Sequence, residues 1–194
     1  ISGMSLVSSE AMTSAGMFAE LGSSTILDAV GTIMNFNINP QAVSFSNTDV
    51  VGAVVGKVDS GNIYNVNLTR STSEQIVVVG KNIVGGAVGL AIGRYNIQNL
   101  YSQYSAKARY QSSSNDFNSG LLEYSSYSFA GSLIGVASGT GSIYDCETDT
   151  VVSVLGDKAG LVFGLIDENV NVSKILVEMQ SGMLVNAYSY GGLV

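Results

Sequence analysis

The feature that most constrains the fold is an internal duplication. Residues 51–65 (VGAVVGKVDSGNIYN) match residues 130–145 (AGSLIGVASGTGSIYD) position by position, with one inserted residue. Upstream, three residues recur at a constant offset of 79: Asn39, Val43 and Phe45 match Asn118, Leu122 and Tyr124. Downstream, Gly80, Gly85 and Gly89 match Gly156, Gly160 and Gly164. Because a fixed period organises a whole architecture, we predict two similar units of roughly 80 residues.

Local patterns predict strands and helices within each unit. Alternating β-branched residues predict strands over 42–47, 50–58, 62–69, 75–80 and 86–93, and again over 120–128, 130–137, 141–146, 150–156 and 160–166. The segment Asp59–Asn62 (DSGN) predicts a turn between two of them. Apolar residues at helical spacing predict helices over 9–20, 24–35, 96–110 and 172–185.

The predicted fold class is therefore α+β and β-rich. An N-terminal helical segment (1–38) precedes two tandem repeats (39–111 and 112–194), each an antiparallel β-meander followed by a helix. The antiparallel arrangement is expected because the connections are too short for crossovers. The polar stretch 111–118 (QSSSNDFN) predicts the boundary between the repeats.

The composition excludes several function classes. Only 12% of residues are charged and the net charge is −7, which argues against binding to nucleic acid. The longest apolar stretch, 76–92, is interrupted by Lys81 and Asn82, so no membrane span is expected. A single cysteine excludes an intramolecular disulfide. Residues 1–24 have no basic n-region, so we expect no retained signal peptide.

Glycines recur every fourth residue on predicted strands. The glycines concerned are Gly52, Gly56, Gly85, Gly89, Gly93, Gly131, Gly135 and Gly139. Residues four apart share one face of a strand, and a glycine face allows close approach of another element. We interpret these positions as assembly or packing residues, which either allow packing or tight curvature within one subunit or form a contact between subunits.

Candidate chemistry is limited because the chain contains no histidine, the commonest general base and metal ligand. We therefore expect no enzyme, no catalytic residue and no bound cofactor. The sharpest polar cluster is Asp145, Glu147 and Asp149, which an extended segment would place on one side as a calcium-type site. The competing interpretation is a solvated loop.

Tyrosines cluster between residues 95 and 127: Tyr95, Tyr101, Tyr104, Tyr110, Tyr124 and Tyr127. Such rings suit interfaces and saccharide-like ligands, or they face the core. Cys146 is expected to lie at a strand end without a chemical role. Asn67 and Asn171 each begin an N-x-S/T sequence, which matters only if the chain is secreted.

The segment Val154–Met179 (VLGDKAGLVFGLIDENVNVSKILVEM) resembles the last hairpin and helix of Roadblock/LC7-type domains. That resemblance implies a small cytosolic α/β dimerisation module that regulates GTPases. The first unit departs from the pattern at 93–96 (GRYN), which replaces the acidic turn.

Low charge, glycine-striped strands and a Ser/Asn/Tyr-rich surface favour a self-assembling structural subunit. We expect a non-enzymatic component of an extracellular or cell-surface polymer, such as a filament, sheath or shell, whose partners are copies of itself. The alternatives are a cytoplasmic Roadblock-like scaffold and a small-ligand or lipid-binding module.

Overall fold

The computed structural model describes residues 1–23, 25, 29–70, 76–108, 127–150, 154–179, 185–186 and 189–190, and in these residues it contains strands and no helix. The strands are β1 (Ser5–Ser8), β2 (Ser14–Ala15), β3 (Phe18–Leu21), β4 (Gly31–Ile38), β5 (Ala42–Phe45), β6 (Val50–Gly52), β7 (Val55–Leu68), β8 (Val77–Gly80), β9 (Ile83–Gly85), β10 (Val88–Ser102), β11 (Ser105–Ala108), β12 (Phe129–Gly131), β13 (Ile134–Ala137), β14 (Thr140–Thr150), β15 (Val154–Leu155), β16 (Lys158–Gly160), β17 (Phe163–Ile166), β18 (Val170–Met179), β19 (Val185–Asn186) and β20 (Ser189–Tyr190).

The strands form three sheets in which every described pairing is parallel. Sheet 1 has the order β1-β5-β8-β11-β15-β19, and sheet 2 has the order β2-β6-β9-β12-β16-β20. Sheet 3 contains β3 and β4, then β7, then β10, then β13 and β14, then β17 and β18. The chain visits the three sheets in turn and then returns to the first. Each circuit is one coil, and the coils stack into a parallel β-helix.

The predicted α+β class, with helices and antiparallel meanders, is wrong, although the β-rich character is confirmed. The predicted helix 96–110 is occupied by β10 and β11, and the helix 172–185 begins within β18. Segment 9–20 includes β2 and part of β3, and the described end of 24–35 belongs to β4. The N-terminal segment is therefore the first coil, not a helical extension. The Roadblock-like hairpin and helix are likewise replaced by parallel strands β15–β18.

The turn predicted at Asp59–Asn62 is also wrong, because these residues lie inside β7. Here sheet 3 bends without reversing the chain. In the pairing of β10 with β7, the register shifts between Ala91 and Arg94. Gly93 lies at this bend with φ of 72°, and a Cβ on it would overlap the backbone oxygen of Asp59. The bend thus requires glycine at that point.

The offset of 79 corresponds to two coils. Gly52 pairs with Gly85, and Gly85 pairs with Gly131, so Gly52 and Gly131 belong to coils separated by one intervening coil. All three sheets contain strands from both predicted repeats, 39–111 and 112–194. The predicted boundary near 112 lies outside the described residues.

The core lies inside the coils, where apolar side chains of successive coils stack on one another. Ile63, Ile97 and Ile143 form one such column, and all three are fully buried. After each of these isoleucines, and after Ile33 and Val172 at the equivalent positions of β4 and β18, two consecutive side chains point outward instead of one. The second outward residue has a left-handed backbone, and the residues concerned are Asn35, Asn65, Asn99, Asp145 and Lys174, with φ between 52° and 54°.

The four-residue glycine spacing lies at the corner between sheet 2 and sheet 3. The first glycine of each pair ends a strand of sheet 2, as at Gly52, Gly85 and Gly131. The second lies in the following strand of sheet 3, as at Gly56 and Gly89. A Cβ on Gly85 would overlap the carbonyl oxygen of Val88, so the absence of a side chain lets the chain turn tightly.

Candidate functional site: the outer face and open edges of sheet 3

The outer face of sheet 3 presents side chains in straight columns that run along the axis of the β-helix. One column contains Met34, Tyr64, Gln98, Tyr144 and Ser173, paired in succession from coil to coil. The neighbouring column contains the left-handed residues Asn35, Asn65, Asn99, Asp145 and Lys174. Because strands in a sheet are about 4.8 Å apart, side chains in a column contact their neighbours directly.

The left-handed column contains an asparagine ladder, defined as Asn35, Asn65 and Asn99. The Asn65 amide donates to Oδ1 of Asn35 at 3.0 Å, and the Asn99 amide donates to Oδ1 of Asn65 at 2.8 Å. Asparagine tolerates the left-handed conformation better than most residues. The ladder therefore satisfies a backbone requirement and links three coils with side-chain hydrogen bonds.

The sequence interpretation missed this ladder, although the signal is present. An isoleucine, one further residue and then Asn or Asp occur at 33–35, 63–65, 97–99 and 143–145. This short motif recurs once per coil, whereas the duplication at offset 79 recurs once per two coils.

The proposed calcium-type residues lie on β14. Asp145 is within 3.4 Å of the Lys174 ammonium, and Asp149 accepts a hydrogen bond from the Gln103 amide at 3.1 Å. The alternation of burial places Glu147 on the outer face as well. Within the described ranges, no group of three acidic or cysteine side chains is arranged to hold a metal ion. Two of the three carboxylates, those of Asp145 and Asp149, bind groups on adjacent coils.

The tyrosines of the predicted cluster separate into different environments. Tyr104 is fully buried, and its hydroxyl lies 3.0 Å from the Thr69 carbonyl oxygen and 3.3 Å from that of Pro40. Tyr95 is 6% exposed, and its hydroxyl finds no hydrogen-bond partner among the described residues. Tyr101 faces outward, where partial burial raises its pKa. Tyr127 lies beneath the Lys158 ammonium, whereas Tyr110 and Tyr124 fall outside the described residues.

The single cysteine faces inward from β14. Cys146 is 1% exposed, and its burial raises the pKa of the thiol to about 11. A thiol reacts as the thiolate, so this arrangement does not activate it. Of the two N-x-S/T asparagines, Asn67 donates to Oδ1 of Asn37 at 2.8 Å, whereas Asn171 is exposed on β18.

Exposed apolar side chains concentrate at the two ends of the described β-helix. Five of those in the described residues belong to the first coil, and two lie on β18: Ile1, Val7, Phe18, Val30 and Met34, then Val172 and Leu176. Val7 is 63% exposed and Leu176 is 52% exposed. In the described structure, β1 pairs only with β5, β4 pairs only with β7, and β18 pairs only with β14. We call β1 and β4 the first-coil edge.

The first-coil edge is almost free of charge. Strands β1, β2 and β4 contain no charged residue. Glu20 on β3 forms an ion pair with Lys57 of the next coil at 2.6 Å, and that hydrogen bond raises the pKa of Lys57. At the other end, Lys174 and Glu178 lie on β18. Charged residues on an edge strand discourage pairing with another chain, so the first-coil edge is the less protected one.

Comparison with known protein families, with curated proteins and with solved structures finds no match to this chain. The described part of the chain also contains no helix with the length and apolarity that a membrane crossing requires.

Proposed function

We propose that this protein is a non-enzymatic structural subunit that assembles with copies of itself into an extracellular or cell-surface polymer. The observation that carries the proposal is the first-coil edge. Among the described strands, β1 and β4 each pair on one side only, which leaves the backbone groups of the other side for another chain. Both strands also carry exposed apolar side chains, such as Val7 and Met34, and no charged residue. Such an edge is a template for pairing with another chain.

A linear assembly follows from the presence of a second edge at β18. Contacts at both ends of an elongated subunit extend a polymer instead of closing a dimer. The left-handed residue occurs on both edge strands, as Asn35 on β4 and Lys174 on β18. The two edge strands therefore share this local backbone conformation, which suits continuation of the columns from one subunit to the next.

The surface chemistry supports the same proposal. Ser, Asn, Thr and Tyr side chains replace about half of the charges that an ordinary soluble domain carries, with 12% charged residues against about 25%. Contact between such neutral surfaces requires little desolvation of charge.

The test measures mass against concentration by sedimentation, with electron microscopy of the largest species. A double variant, Val7→Lys with Thr32→Lys, places two charges on the first-coil edge. The control places the same two charges on strands that are paired on both sides. Ser44 is the partner of Val7 on the next coil. Ser142 lies in the same column as Thr32 but on β14, between two other strands. Ser44→Lys with Ser142→Lys is therefore the matched control.

The wild-type protein and the control should form species whose mass rises with concentration. The Val7→Lys, Thr32→Lys variant should remain at the mass of a monomer or dimer. A monomeric wild-type protein at all concentrations would contradict the proposal, as would an edge variant that assembles like the wild type.

A further inference from the structure

A shallow groove of about 390 Å³ runs along the outer face of sheet 3. It is lined by Met34, Asn35, Tyr64, Asn65, Gln98 and Tyr144. These residues come from four successive coils and from two adjacent columns. The groove therefore follows the axis of the β-helix and crosses the strands, which suits an elongated ligand.

The two tyrosines of the groove are held in place before any ligand binds. The Tyr64 hydroxyl donates to Oδ1 of Asn62 at 3.1 Å and accepts from the Asn96 amide at 3.2 Å. The Tyr144 hydroxyl donates to Oε1 of Gln98 at 2.7 Å. Both rings are half-buried. Groups that are already fixed lose little conformational entropy on binding.

The spacing of the rings suits a repeating ligand. Gln98 pairs with both Tyr64 and Tyr144, so the two rings lie two strands apart, a distance of about 10 Å. That distance is close to the length of two sugar units in an extended β-1,4-linked glycan. Aromatic rings offer an apolar surface to the faces of sugar rings. Amide side chains have two donor hydrogens and two acceptor lone pairs for hydroxyl groups.

The charge of the groove selects against ionic ligands. None of its six lining residues is charged. The nearest charges in the adjoining column, Asp145 and Lys174, pair with each other. The net charge of −7 opposes the binding of an acidic polymer. A basic polymer would find no carboxylate among the lining residues.

We propose that this groove binds a neutral, extended oligosaccharide or polysaccharide, with the rings of Tyr64 and Tyr144 stacking on sugar faces. Gln98, Asn35 and Asn65 provide hydrogen bonds to its hydroxyl groups. This inference does not depend on self-assembly, because none of the lining residues needs a second copy of the chain.

The probes are the neutral hexasaccharides of β-1,4-linked glucose, mannose and xylose, titrated by calorimetry. The chain has ten tyrosines and no tryptophan, so tyrosine fluorescence gives a second readout. A hexamer of galacturonic acid and a Ser/Gly/Pro-rich decapeptide serve as the anionic and peptide comparisons. The single variant Val7→Lys should bind as the wild type does, because Val7 lies on β1 in sheet 1 and does not line the groove. This variant separates the binding test from the test of assembly.

At least one neutral hexasaccharide should bind saturably, and Tyr64→Ala and Tyr144→Ala should each weaken its binding about tenfold. Tyr101→Ala is the matched control, because Tyr101 faces outward on β10 but does not line the groove. If an alanine variant does not fold, Tyr64→Val and Tyr144→Val retain strand propensity and replace it.

Three results would overturn the proposal. The first is that no neutral hexasaccharide binds at any soluble concentration. The second is that loss of both rings leaves the affinity unchanged. The third is that the galacturonic acid hexamer or the peptide binds more tightly than every neutral glycan.

Discussion

Asn65 and Asn99 both adopt the left-handed backbone conformation, and the Asn99 amide donates to Oδ1 of Asn65 at 2.8 Å across adjacent coils. Each asparagine thus adopts the conformation that its own strand requires and forms a hydrogen bond to the neighbouring strand. The left-handed conformation is required within one strand, whereas the hydrogen bond forms only when two coils stack on each other. This combination makes Asn65 a sensitive probe of the β-helix.

Replacement of Asn65 should separate these two contributions. Asn65→Ala loses the ladder bonds and strains the left-handed backbone, so we expect a loss of about 2 kcal/mol in the free energy of unfolding. Asn65→Gly also loses the hydrogen bonds, but glycine adopts the left-handed backbone without strain. Its free energy of unfolding should therefore fall by about 1 kcal/mol less than that of Asn65→Ala. Urea denaturation measures both. Asn67→Ala, which removes an amide bonded to Asn37, is the control for hydrogen bonding alone. Equal losses for Ala and Gly at position 65 would contradict the backbone argument.

The corner glycines should not tolerate a methyl group. A Cβ on Gly85 would overlap the Val88 carbonyl oxygen and lie 2.8 Å from the Gly135 nitrogen. We expect Gly85→Ala to lower stability by about 3 kcal/mol. At Gly156 the nearest atom to a Cβ is the Lys158 oxygen at 3.1 Å, so Gly156→Ala should cost less than about 1 kcal/mol. Thermal unfolding monitored by circular dichroism compares the stabilities of the two variants. Similar melting temperatures would contradict the steric argument.

Two buried tyrosines should respond oppositely to loss of the hydroxyl group. Tyr104 lies within hydrogen-bond distance of two backbone carbonyls, so Tyr104→Phe should cost about 1 kcal/mol. The Tyr95 hydroxyl is buried without a partner in the described structure, so Tyr95→Phe should be neutral or stabilising. Each variant is the control for the other in the same denaturation experiment. A destabilised Tyr95→Phe protein would show that this hydroxyl has a bonding partner.

The Cys146 thiol should be unreactive in the folded protein. Burial raises its pKa from 9.0 to about 11, so a thiol reagent at pH 8 should label it only after unfolding. The folded state holds the proton more tightly than the unfolded state. This contribution to stability is therefore intact below pH 9 and is lost as the pH rises toward 11.

Two variants control the cysteine experiment. Ser5 is exposed on β1, so a Cys146→Ala, Ser5→Cys protein should react rapidly while folded. Cys146→Ala alone should lose less stability than the wild type between pH 9 and pH 11. Rapid labelling of the native wild-type thiol would contradict its burial.

The sequence indicates single parts of the candidate surface but not which of these parts lie next to one another. The sequence shows Asp145, Glu147 and Asp149 as a polar cluster. Lys174 and Gln103, which bind Asp145 and Asp149, are 29 and 46 residues away from them in the sequence. Tyr64 and Tyr144 occupy equivalent positions of the duplicated segment. Their alignment in one groove depends on Gln98, which belongs to the coil between them. Local sequence does not specify which coils become neighbours.

The spacing of inward-facing residues in β10 explains why the sequence predicts a helix over 96–110. Ile97 and Leu100 both point inward, although a regular strand alternates with a period of two. The left-handed residue Asn99 adds one outward position between them and produces a spacing of three, which imitates a helix. The same spacing separates Ile33 from Phe36 on β4 and Val172 from Ile175 on β18.

The sequence by itself determined the repetition, the tight glycine corners, the apolar interior and the scarcity of charge. These properties depend on residues that are near one another in the chain. Only the tertiary structure decided that the strands are parallel, that the true repeat is one coil, and that Asn65 contacts Asn35 and Asn99. The physical reason is that the hydrogen bonds of a parallel β-helix join adjacent coils, here about 30 to 46 residues apart, and alternation along a strand is the same for parallel and antiparallel partners.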